Sequence, residues 1–145
     1  MAGQLQLEEK LETGWISLLS ANAYIVANTI TVKGWRDASV TKGKQNKVVV
    51  HIRPVMNEFA NSTLYMADCE IHAVTYSAGD KSTDALKDLY QACLFTVQNT
   101  TNSTLGTAAS LTVNGITLLE SGEEFLEDDE AYQAFILNIQ CHIQS

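Results

Sequence analysis

The chain has 145 residues, 46% of them hydrophobic, a single proline and a formal net charge of -8. That length suits one domain, residues 1–145, which hides roughly two thirds of the surface its unfolded chain exposes and so builds a core without staples. The apolar content excludes a disordered chain, and the acidity excludes a protein that wraps nucleic acid through a basic surface.

In chain order, Gln4 to Ser20 carries Leu7, Leu11, Trp15, Leu18 and Leu19 at helical spacing, with Glu8, Glu9, Lys10 and Glu12 mostly off that stripe. This predicts a helix, weakened by about 1 kcal/mol at Gly14. Ala21-Asn22 ends it. Tyr24-Ile-Val26 and Ile30-Thr-Val32 read as strands from their composition. Arg36 to Lys47 is polar and reads as a long hairpin loop. Lys47 to Arg53 is then a buried strand stopped by Pro54, which has no N–H to give a ladder. An irregular connection, Val55 to Thr63, follows.

Leu64 to Tyr76 is the organising strand. Cys69, Ile71 and Ala73 alternate with Asp68, Glu70 and His72, the period of a sheet with one buried and one wet face. After a polar turn, Ser77 to Lys81, a helix runs from Thr83 to near Val97. Ser82 is its expected cap, and Leu86, Leu89, Tyr90, Cys93 and Val97 form its stripe. Gln98 to Thr104 reads as a polar loop. Asn114-Gly115 between Val113 and Ile116 predicts a small hairpin or an extended excursion. Glu120 to Glu130 is an acidic run, and Ala131 to Ile143 is a cleanly alternating last strand. The order implies an α+β fold: a mainly antiparallel sheet of four to five strands with two helices packed on one face.

Cys69, Cys93 and Cys141 sit singly in apolar patterns with no CxxC pair, which makes them reduced core residues. No basic region followed by an apolar run marks a signal peptide, and no apolar run has membrane-spanning length. The sequence lacks GxGxxG, GxxxxGK[ST], HExxH and GxSxG, so it assigns no catalytic, cofactor-binding or metal residues and predicts no enzyme. Asp68, Glu70 and His72 share one strand face, where they suit metal binding or acid–base work. A solvated face or subunit contact is the simpler account, because no other segment offers ligands at suitable spacing.

Charge is more informative. Lys33, Arg36, Lys42, Lys44, Lys47 and Arg53 are six of the nine basic residues, and seven of the seventeen acidic residues lie between Glu120 and Glu130. Such runs are usually solvated surface. They are also what the two halves of a head-to-tail contact require, and such contacts close into rings when the rotation allows.

Two local patterns resemble the tail terminator (tail completion) proteins of long-tailed bacteriophages. One is the strand Tyr65 to Tyr76 running through the turn Ser77 to Lys81 into the helix Thr83 to Phe95. The other is the acidic Glu127-Asp-Asp-Glu-Ala-Tyr132 leading straight into the strand Gln133 to Ile143. The helix Leu5 to Leu19 matches the family's opening helix. The resemblance spans Leu5 to Ile143, in hydrophobicity and element order; Gln98 to Gly122 is longer than the family pattern.

The resemblance implies a virion protein of the tail or neck, made in the host cytoplasm, with no catalytic site, cofactor or membrane partner. Its copies form a ring, typically a hexamer, that caps the tail tube and ends its growth. The ring joins the tail tube protein to head-completion or stopper proteins while double-stranded DNA passes through without specific binding. Arg36, Lys42, Lys44 and Lys47 on one side, and Glu127, Asp128, Asp129 and Glu130 on the other, are the candidate subunit or neck contacts. The alternatives are another neck, connector or tail-tube protein, a small metal- or ligand-binding enzyme using Asp68, Glu70 and His72, and an acidic adaptor that imitates DNA.

Overall fold

The structure is a computed structural model describing residues 4–37, 45–58, 63–76, 83–125 and 132–144. Its elements are α1 (Gln4–Ser20), α2 (Ala23–Ala27), β1 (Thr31–Gly34), β2 (Lys47–Ile52), β3 (Met56–Asn57) and β4 (Leu64–Tyr76), then α3 (Thr83–Gln98), α4 (Asn102–Ala109), β5 (Thr112–Phe125) and β6 (Tyr132–Gln144). One sheet runs β1-β2-β4-β6-β5, with the two-residue β3 paired to β4. The fold is α+β and mostly antiparallel, with six strands and four helices among the described residues where the sequence led us to expect four to five and two.

The core is a single cluster between the helices and one sheet face. From the helices come Leu7, Leu11, Trp15 and Leu19 of α1 and Leu89, Cys93 and Val97 of α3. From the sheet come Val48, Val50 and Ile52 of β2, Ala67, Cys69 and Ile71 of β4, and Leu137, Ile139, Cys141 and Ile143 of β6. Both helical stripes, the alternation of β4 from Ala67 to Ala73 and that of β6 from Leu137 to Ile143 thus do what their periodicity requires, whereas at the start of β6 Ala134 is buried and Phe135 only half-buried. All three cysteines are free and buried. The Cys69 and Cys141 sulfurs lie 3.8 Å apart, and burial pushes the Cys93 thiol up to about 12. These thiols serve as small hydrophobes. Among the described residues Trp15 finds no oxygen or nitrogen acceptor for its buried indole N–H; the Cys69 thiol lies beside it.

Four local expectations are corrected. Tyr24-Ile-Val26 lies in a helix. The Asn22 Oδ1 accepts the N–H groups of Tyr24 and Ile25 at 3.0 and 3.3 Å, while its Nδ2 donates to the Ala92 carbonyl and the Thr96 hydroxyl of α3 at 3.1 and 3.0 Å. One capping side chain therefore starts α2 and ties it to α3, which outweighs the β-propensity of three residues. Arg36 to Lys47 does not join a hairpin: β1 and β2 on either side of it are parallel, with Thr31 opposite Lys47 and Gly34 opposite Val50. Residues 38–44 lie outside the described residues. Alternation identifies a strand but carries no information on its direction.

The polar stretch after α3 does pack. Thr101 caps α4 by accepting the Thr104 N–H at 3.1 Å, Leu105 and Ala109 are buried one turn apart, and Ser110 closes the helix in a left-handed conformation at φ 56°. The Asn114-Gly115 pair makes no turn. β5 runs straight through it with a register shift between Val113 and Gly115, so the pair marks a bulge. The capping residue Ser82 lies outside the described residues.

Gly14 has a packing reason. A Cβ there would sit 2.8 Å from the Ala109 Cβ and 3.1 Å from that residue's backbone, so α1 and α4 touch through this glycine. Gly14→Val therefore lowers stability by about 1–3 kcal/mol through overpacking, read as a shift of the urea midpoint. Asn22→Ala lowers it by about 1–2 kcal/mol, and an unchanged midpoint would remove the cap from the account of α2.

Candidate functional site

The helices cover one sheet face. The other carries the polar residues of β2, β4 and β6, and the register of these strands decides which of them meet. β2 and β4 pair antiparallel with Val50 opposite Ile71 on the core side. On the polar side the same register sets His51 opposite Glu70, and His72 follows Glu70 by two residues. His51 Nδ1 is 3.6 Å and His72 Nε2 is 3.0 Å from the same carboxylate oxygen, Glu70 Oε1. Arg53 Nε lies 3.4 Å from the other oxygen, Oε2. The Trp35 ring leans on His51 with centroids 4.5 Å apart, although the tryptophan is 52% exposed.

His51, Glu70 and His72 each keep about a fifth of their side-chain surface in solvent. Burial lowers the pKa of His51 from its ordinary value, against the pull of Glu70, and His72 and Arg53 push it the same way as burial. The arrangement can share protons among three groups or offer three ligand atoms to one cation, all within 4.8 Å of one another. Of the sequence-predicted trio, Glu70 and His72 meet and Asp68 is left out as an exposed neighbour. Sequence reasoning missed His51. Matching the apolar residues of β2 to those of β4 would have found it, had the pairing of these strands been known.

A second pair lies elsewhere on this face: His142 Nδ1 of β6 contacts the Glu58 carboxylate. Beside β5, an open groove is lined by Arg53, Asp68, Glu70, Asn138, Leu118 and Leu119.

The candidate contact residues divide. Arg36 Nη2 reaches Glu8 Oε2 of α1 at 3.4 Å with half of its side chain exposed. Lys47 is buried at the start of β2, its ammonium 5.5 Å from the centroid of the Tyr76 ring, and burial lowers its pKa. Lys42, Lys44, Glu127, Asp128, Asp129 and Glu130 lie outside the described residues. Glu120, Glu123 and Glu124, the first part of the acidic run, belong to β5. The basic segment around Lys33 and Arg36 and the acidic end of β5 thus stand at opposite edges of the sheet, four strand spacings or about 19 Å apart.

No helix among the described residues is long and apolar enough to cross a membrane. No protein-family model matches the chain, and no curated protein matches it.

The lowered pKa of His51 gives a signed pH dependence. Between its folded value and the ordinary value near 6.5, the unfolded chain binds more protons at this residue than the folded one. Its contribution to stability is therefore present at neutral pH and is lost as pH falls through that window. With a chelator present, the thermal midpoint of wild type should drop more between pH 7.5 and 5 than that of His51→Gln; parallel pH profiles would reject this origin.

Proposed function

We propose that this chain is a virion structural protein of a long-tailed phage: a tail terminator whose copies form a ring, typically a hexamer, at the head–tail junction. The observation that carries the reading is the separation of charge across the sheet. A head-to-tail contact joins two different surfaces of the same chain. Here Lys33 and Arg36 belong to one edge and Glu120, Glu123 and Glu124 to the other. Exposed apolar residues accompany both edges, Trp35 just after β1 and Leu118 and Leu119 within β5. An apolar centre with a charged rim is what a subunit interface needs, the rim setting register more than affinity.

In this reading the ring caps the tail tube, ends its growth and presents its other side to head-completion or stopper proteins. DNA passes through the opening without specific contacts, and the net charge of -8 suits a passage that does not grip phosphate. No catalytic step is assigned. The α+β architecture and the acidic segment leading into the last strand agree with the family resemblance.

Native mass spectrometry tests the proposal. The tag-free chain should give one discrete ring of about six copies whose population falls as salt rises. Asp128→Lys with Asp129→Lys should move it towards monomer at low salt, because like charges then meet across the contact. Open-ended stacking of many rings would instead favour a tube subunit. Assembly by the double variant equal to wild type at low and high salt would overturn the charged contact.

A further inference from the structure

We propose that His51, Glu70 and His72 form a binding site for a single divalent transition-metal ion of the Zn2+ class on the helix-free face of the sheet. Two histidines and a glutamate are a donor set that holds Zn2+ through three protein ligands and leaves a fourth position to water. Mg2+ and Ca2+ are disfavoured, because they prefer all-oxygen shells.

The distances suit this. Zn–N bonds of about 2.0–2.1 Å place tetrahedral ligand atoms about 3.3 Å apart. The separations of 3.0 Å (His72 to Glu70) and 3.6 Å (His51 to Glu70) bracket that value, and all three atoms lie within 4.8 Å of one another. The remaining edge, between the two imidazoles, is at most 4.8 Å and would have to shorten on binding, which the broad terminal torsion of a histidine ring permits.

The surroundings orient the ligands. Arg53 holds Glu70 Oε2 and leaves Oε1 facing both imidazoles. Trp35 packs on the His51 ring, and such packing restricts the direction in which the ring can point. Partial exposure of all three side chains leaves room for a water in the fourth position. The site sits on two paired strands, so the ladder holds the donors without a loop. Among the described residues His142 and Glu58 supply two donors and no third joins them, which makes them an internal control. The site is independent of the ring reading, since one chain supplies every ligand.

Titration of the tag-free full chain with Co2+, followed by visible absorption, and with Zn2+, followed by calorimetry, tests the proposal. The expected result is one equivalent per chain. Affinity should fall at least tenfold in His51→Gln, in Glu70→Gln and in His72→Gln, with no change in His142→Gln. The wild-type chain alone gives a second measurement that needs no variant. It has three histidines in all, and Co2+ should displace the ring resonances of two and spare the third. Absence of a 1:1 complex, a complex that survives loss of His51 and His72, or displacement of all three histidines equally would each overturn the site.

Discussion

The one-sided burial of β4 is the constraint on which the rest of the molecule depends. Ala67, Cys69, Ile71 and Ala73 are essentially inaccessible, while Asp68, Glu70 and His72 between them reach solvent. Side chains alternate with a period of two, so a slip of one residue against β2 or β6 would drive these three polar groups into the helix layer and expose the core residues. Burying an unpaired carboxylate costs several kcal/mol, so such a slip is strongly disfavoured. The register that hydrophobic burial selects on one face therefore fixes the polar geometry on the other. His51 meets Glu70 because Val50 meets Ile71.

The helix layer is held to the sheet by specific points as well as by apolar area. Asn22 uses both ends of its amide, one to start α2 and the other to bind α3. Gly14 lets α1 lie against α4 at a separation no side chain allows. These contacts draw the two short helices, α2 and α4, into the layer formed by the two long ones. They also explain why residues of modest helix propensity are helical here: a short helix draws its stability from its caps and its packing more than from its own residues.

Much of this was legible in the sequence. The bounds of α1 and β4, the stripe of α3 and the alternation of the last strand followed from long periodic patterns, and the α+β class followed from their order. What stayed hidden was non-local. The parallel direction of β1 and β2 is set by pairing, which alternation does not encode. The helical state of Tyr24 to Val26 depends on acceptors in α3, seventy residues away. Leu105 and Ala109 are too sparse a pattern to mark α4 until Gly14 is seen to receive it. Asn114-Gly115 resembles a hairpin turn, yet its flanks pair with β6 and not with each other. The candidate metal cluster was half legible for the same reason: Glu70 and His72 share a strand, and His51 arrives through strand pairing.

The same geometry largely separates the surfaces that the two proposals use, with Trp35, which ends the β1 edge and packs on His51, common to both. With one face covered by helices, the chain has left to offer its polar face, its two sheet edges and its helix exteriors. A ring closed through the edges joins the β1 side of one subunit to the β5 side of the next and needs neither face of the sheet. The His51–Glu70–His72 group lies inward from those edges, on the pair β2–β4. A metal held there would add to the rigidity of the sheet across which the subunit contacts are spaced, because it would join two strands that hydrogen bonds already link. Assembly would then be governed by ionic strength at the edges and metal occupancy by histidine protonation on the face. Two chemically distinct controls would thus act on one small sheet, and Trp35 is the residue through which they would meet.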